Sequence, residues 1–154
     1  MKLECDGLEF KTEHRLKTTS PEWGSVLKVP VDGFARARVE ASVWDHDAVG
    51  AHDFLGKVRI DLAKFADRKG RRKWRALASR TGERDRDRGR LELYIVWRHN
   101  PTLRMEVPRE LLGDSFAFID DGRFPPTELV VFAARAKALK ATDTSLTGKA
   151  TSDP

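Results

Sequence analysis

The sequence predicts an all-β protein, an antiparallel β-sandwich, on two observations. Short stretches alternate apolar and polar residues with a period of two, and turn dipeptides punctuate them at close intervals. Met1 to Cys5 alternates, Asp6-Gly7 is a hairpin turn, and Leu8 to Thr12 alternates again. Ser20-Pro21-Glu22-Trp23-Gly24 carries turn chemistry and leads into a strand from Ser25 to Val31, closed by Asp32-Gly33. From Arg36 to Trp44, Val39, Ala41 and Val43 fall on one face, with Arg38, Glu40 and Ser42 on the other. Lys57 to Leu62 repeats the pattern, Trp74 to Leu77 forms a short strand, and Leu91 to Trp97 is the clearest strand of all. Thr81 to Gly89 is nearly all charge and reads as a solvated loop. Residues 100–126 read as a Pro-containing linker with one helical turn near Pro108 to Leu112, and Leu129 to Ala134 begins a further strand.

Composition bounds the function. The chain of 154 residues holds one ordinary domain with room for part of another, and 40% hydrophobic residues is enough for a core. No apolar run approaches the roughly 20 residues that span a bilayer, and Met1 to Cys5 lacks the apolar core of a signal peptide. The single cysteine, Cys5, excludes an internal disulfide framework and points to a reducing, cytoplasmic compartment. The net charge of +5 is uneven, because Arg68 to Arg90 holds eleven Lys or Arg against three acids. An anionic partner is therefore drawn to that segment, and Arg68, Lys69, Arg71, Arg72 and Lys73 are its candidate lipid-binding residues. Nucleic acid is not expected as a partner, since Trp74 is the only aromatic interleaved with this charge and the alternation assigns it to a strand. Trp23, Trp44 and Trp97 are read as core residues.

The chemistry concentrates between two strands. Asp45, Asp47 and Asp53 form a D-x-D-x5-D cluster, in which alternation points Asp45 and Asp47 the same way and the loop returns Asp53 to them. Two such charges about 4 Å apart repel by a few kcal/mol at an effective dielectric near 20. Ca2+ offsets that repulsion well, because it takes roughly 6–8 hard oxygen ligands in a flexible geometry. An EF-hand is excluded by the missing twelve-residue pattern. His46 and His52 read as exposed loop residues, because zinc sites usually combine His or Cys with fewer carboxylates. No Ser/His/Asp arrangement or Gly-rich phosphate loop is present, so no catalytic residue is assigned and the chain is read as a non-enzyme.

Val43-Trp44-Asp45-His46-Asp47 followed by Asp53-Phe54-Leu55-Gly56-Lys57-Val58 resembles the third calcium loop and following strand of the C2 domain family. Phe10-Lys11-Thr12 with Ser20-Pro21-Glu22-Trp23, Trp74-Arg75-Ala76-Leu77, and Gly89-Arg90-Leu91-Glu92-Leu93 through Trp97 match in order and spacing, so the resemblance covers Lys2 to Trp97. It implies a C2-like Greek-key sandwich over residues 1–99 that lacks its first strand and first calcium loop, a linker over 100–126, and those missing parts over 127–154. In that reading Asp143 and Asp153 match the first loop's two ligand positions and join Asp45, Asp47 and Asp53 as the metal ligands. The chain is then either a segment of a tandem array or a sandwich completed by its C-terminal strand, in cis or by strand-swapped self-association. The implied function is calcium-dependent binding to anionic phospholipid membranes as a cytoplasmic, peripheral targeting module. The alternative is a calcium-independent module that binds proteins or lipids.

Overall fold

The computed structural model describes residues 1–31, 38–45, 52–83, 88–103 and 126–140. Within them the chain forms β1 (Lys2–Cys5), β2 (Leu8–Lys11), β3 (Glu22–Pro30), β4 (Val39–Trp44), β5 (Phe54–Ile60), a 3-10 helix (Leu62–Phe65), β6 (Arg71–Ala76), β7 (Arg90–Arg98) and β8 (Glu128–Lys137). The strands make two four-stranded sheets, in the orders β2-β1-β4-β5 and β3-β8-β7-β6. Every pairing is antiparallel. The expected all-β sandwich is thus the observed fold.

Alternation explains why these segments are strands. In β7, Leu91, Leu93, Ile95 and Trp97 turn inward and are buried, and Leu129, Val131 and Ala133 of β8 meet them across the pair. Leu3 and Cys5 of β1 and Val39, Ala41 and Val43 of β4 supply the facing layer. Trp23 and Trp97 are buried as expected, whereas Trp44 is only half-buried. Burial pushes the Cys5 thiol up to about 11, first by desolvation and then by the Asp6 charge, which suits a small apolar core residue.

Asp6 and Gly7 take φ of 45° and 86°, the positive values a two-residue hairpin needs, and Cys5 pairs directly with Leu8. β3 starts at Glu22 rather than Ser25, through a register shift between those two residues. β6 starts at Arg71 rather than Trp74, because edge-strand backbone pairs with β7 whatever the charge of its side chains. Leu62, expected in a strand, instead opens the 3-10 helix, whose Asp61 cap accepts from the Ala63 N–H at 3.2 Å.

β8 lies between β3 and β7, pairing with both, so strand 128–137 fills this sheet from within the same chain. Beyond its end, Leu139 is buried and donates its N–H to the Thr19 carbonyl at 3.0 Å. The helical turn expected near Pro108 to Leu112 lies outside the described residues.

Candidate functional site

β4 and β5 carry Asp45 and Asp53 to one end of the sandwich. Trp44 pairs with Phe54, their rings meeting edge to face at 5.2 Å and 76°. One residue further out, the Asp45 N–H donates to the Asp53 carbonyl at 2.8 Å. That bond closes the root of the loop and holds the two aspartates on adjoining backbone. Asp45 is half-buried and Asp53 exposed. Asp47 lies outside the described residues, as do Asp143 and Asp153 and the loop histidine His46. Among the described residues, no group of three or more His, Cys, Asp or Glu is placed to hold a metal. The donors at the loop root are carboxylates, and hard oxygens of this kind fit Ca2+ chemistry.

Cationic side chains stand beside this root. The Arg80 guanidinium stacks on Phe54 at 4.8 Å and on Trp44 at 5.4 Å. Arg88 donates through Nη1 to the Leu55 carbonyl at 3.2 Å, and the Ser79 and Thr81 hydroxyls lie 2.7 Å apart. These four residues and Phe54 line a cavity of about 310 Å³. A second cavity, about 440 Å³, is lined in part by Asp45, His52, Trp23 and Leu139. Leu139, where the chain leaves β8, thus belongs to the same end of the molecule as the aspartates.

The expected lipid-binding cluster lies elsewhere. β5 runs from Phe54 at the loop end to Ile60, and only after the 3-10 helix and a turn does β6 begin at Arg71. β5 is seven residues long, so six steps of roughly 3.3 Å each separate Phe54 from Ile60. Arg68, Lys69 and Arg71 therefore sit at the far end of the sandwich, and Arg72 and Lys73 lead back from it. Arg71 is engaged by Asp67, whose carboxyl it holds down to about 2. Arg72 grips Glu92 with two bonds of 3.1 Å and, ahead of Arg135, holds that carboxyl below its ordinary range. Lys69 and Lys73 are exposed. None of the five shares an end with Asp45 and Asp53. Arg80 and Arg88 do, and composition counted them without singling them out. The signal that places them is the bridge between Lys57 and Ala78, a pairing that no local pattern announces.

A two-sheet antiparallel sandwich with an aspartate-flanked loop between neighbouring strands defines the class of protein. The C2 domain family model matches residues 1–77, half of the 154, and the chain belongs to that family. It is similar to human protein piccolo, 30% identical over 74 residues, which is 46% of this chain and 1% of piccolo. It is also similar to mouse Rab11 family-interacting protein 1, 35% identical over 46% of this chain and 12% of the relative. Arrestin domain-containing protein B of Dictyostelium discoideum is 35% identical over 41% of the chain and 10% of its own length. The chain thus spans a small part of each. No solved structure matches. Among the described residues, no helix is long and apolar enough to cross a membrane.

Proposed function

We propose that this chain is a peripheral targeting module, acting on the cytoplasmic side, that binds anionic phospholipid membranes in response to Ca2+. The observation that carries the reading is the 2.8 Å backbone bond from the Asp45 N–H to the Asp53 carbonyl, which brings these two aspartates onto adjoining backbone at the root of one loop. Asp45, Asp47 and Asp53 would hold the ion from this loop. Asp143 and Asp153 would join them from a segment that begins just after Leu139 and Lys140. Ca2+ held by these residues would offset the repulsion of their carboxylates and would supply positive charge for phosphate oxygens. Arg80 and Arg88, on the same end, add positive charge for the headgroups. The proposal gives no residue a catalytic role.

Vesicle sedimentation tests it, with phosphatidylserine in the vesicles and either calcium or a chelator in the buffer. Calcium should raise the sedimented fraction of the wild-type protein, and Asp45→Asn/Asp53→Asn should remove that increment while keeping the fold by circular dichroism. Calorimetric calcium affinity should fall about tenfold or more in the same variant, since ligand charge tunes such sites over orders of magnitude. A wild-type protein indifferent to calcium sinks the proposal. The alternative reading, a calcium-independent protein-binding module, is favoured by one observation. A similar protein is named for interaction with the Rab11 family.

A further inference from the structure

The outer face of the β3-β8-β7-β6 sheet breaks the apolar-in, polar-out alternation over three adjacent strands. An antiparallel sheet with one buried face ordinarily turns polar residues outward. Here one cross-strand row reads Val26, Phe132 and Tyr94, and the next includes Val130 and Val96. These five side chains adjoin one another across the three strands. Val26 is 56% exposed and Tyr94 37%, and the other three are half-buried. Trp74 lies one row further along β6, on the same face, with the Lys137 ammonium 4.5 Å and the Arg135 guanidinium 5.5 Å from its ring.

The charge around this strip is lopsided. Lys28, Arg72, Arg90, Arg98, Arg135 and Lys137 share the face with the acids Glu22, Glu92 and Glu128, an excess of three cations among the described residues. Ion pairing of Arg72 and Arg135 with Glu92, and of Arg98 with Glu128, leaves that excess unchanged. Aliphatic and aromatic side chains ringed by lysine and arginine suit the boundary between headgroups and acyl chains of an anionic bilayer. A second copy of the same face would bring like charge against like charge.

We infer that this sheet face is a second membrane-docking surface, which seats the sandwich side-on against anionic lipid without calcium. The loop-end contact turns the Asp45 end of the strands toward the bilayer, whereas this contact lays the strands along it. Asp45 and Asp53 take no part in it, so it stands or falls apart from the calcium reading.

The test is sedimentation with vesicles of equal parts phosphatidylcholine and phosphatidylserine, in chelator throughout. Wild-type protein should sediment, and Val26→Glu/Tyr94→Glu should lower its partition coefficient about tenfold. Arg59→Glu, which lies on the other sheet and changes the net charge by the same amount, should leave the coefficient within about twofold. If the double glutamate variant loses its β-sheet circular dichroism, the milder Val26→Thr/Tyr94→Ser replaces it and should still weaken binding. Equal losses for Arg59→Glu and the face variants would reduce the effect to net charge and overturn the inference. It is equally overturned if wild-type protein stays in the supernatant, or if it forms a dimer that the face variant dissolves.

Discussion

The outer face of the β2-β1-β4-β5 sheet carries paired charge, with Trp44 and Phe54 set apart at its loop end, whereas that of the β3-β8-β7-β6 sheet is an apolar strip ringed by cations. On the first, Lys2 lies 2.7 Å from Glu9 and 3.2 Å from Glu4, Lys11 lies 2.8 Å from Glu9, and Lys57 lies 3.0 Å from Glu40. These side chains reach into solvent or lie near it, where ion pairs contribute little. On the second, the Glu92 and Glu128 side chains keep only 9% and 4% of their exposure although their strand positions turn outward. Arginines lie over them, spreading apolar stems across the sheet with their heads in water. The two faces thus use ion pairs for different ends. One keeps a surface wet, and the other lets carboxylates survive inside a partly apolar surface.

The largest consequence falls on Glu128. Its carboxylate accepts from Arg98 Nε at 2.8 Å and from Asn100 Nδ2 at 2.9 Å. Arg98→Ala should leave this buried charge with the Asn100 amide alone, costing about 2 kcal/mol in urea unfolding. The comparator is Glu40→Gln on the opposite face, whose partner Lys57 can turn to water, and its cost should be plainly smaller. Equal costs for the two variants would erase the distinction between the faces.

How much of this was legible in the sequence follows from what each feature depends on. Strands such as β4 and β7 declare themselves because burial imposes period two on their own residues. The Asp6-Gly7 turn is readable because positive φ at two successive positions restricts residue choice. Asp45 and Asp53 could be placed at one loop because they bracket it directly. The basic residues could not be placed, since Arg71 and Arg80 belong to one charged segment yet lie toward opposite ends of a strand. Their location is set by the pairing of Lys57 with Ala78, a tertiary fact. The apolar strip was hidden for a similar reason. Val26, Tyr94 and Phe132 come from three separate strands and meet only once β8 is seated between β3 and β7.

Acid should separate the faces next. Arg72, and then Arg135, hold the Glu92 carboxyl below its ordinary value of 4.5. A depressed folded-state value means that the stabilisation is present in full above the unfolded value and drains away as pH falls through the folded one. The melting temperature of wild-type protein should therefore decline from about pH 5 downward. Glu92→Gln should flatten part of that decline, because its amide has no proton to take up. Unchanged slopes in wild type and variant would show that this carboxylate does not couple folding to pH.

The smallest effect is expected at Lys11, and its smallness is the point. Lys11 is 69% exposed and shares Glu9 with Lys2, which stays 2.7 Å from that carboxylate when Lys11 is gone. Burial around this pair is slight, so the ammonium of Lys11 gives up little hydration to make the contact and regains it freely on release. Lys11→Ala should accordingly leave the urea midpoint within error of wild type at moderate salt. Vesicle binding measured in chelator should also be unmoved, because Lys11 lies on the face of paired charge and not on the apolar strip. A clear loss of either would mean that the paired face carries more than solubility, and the contrast between the two sheets would have to be redrawn around it.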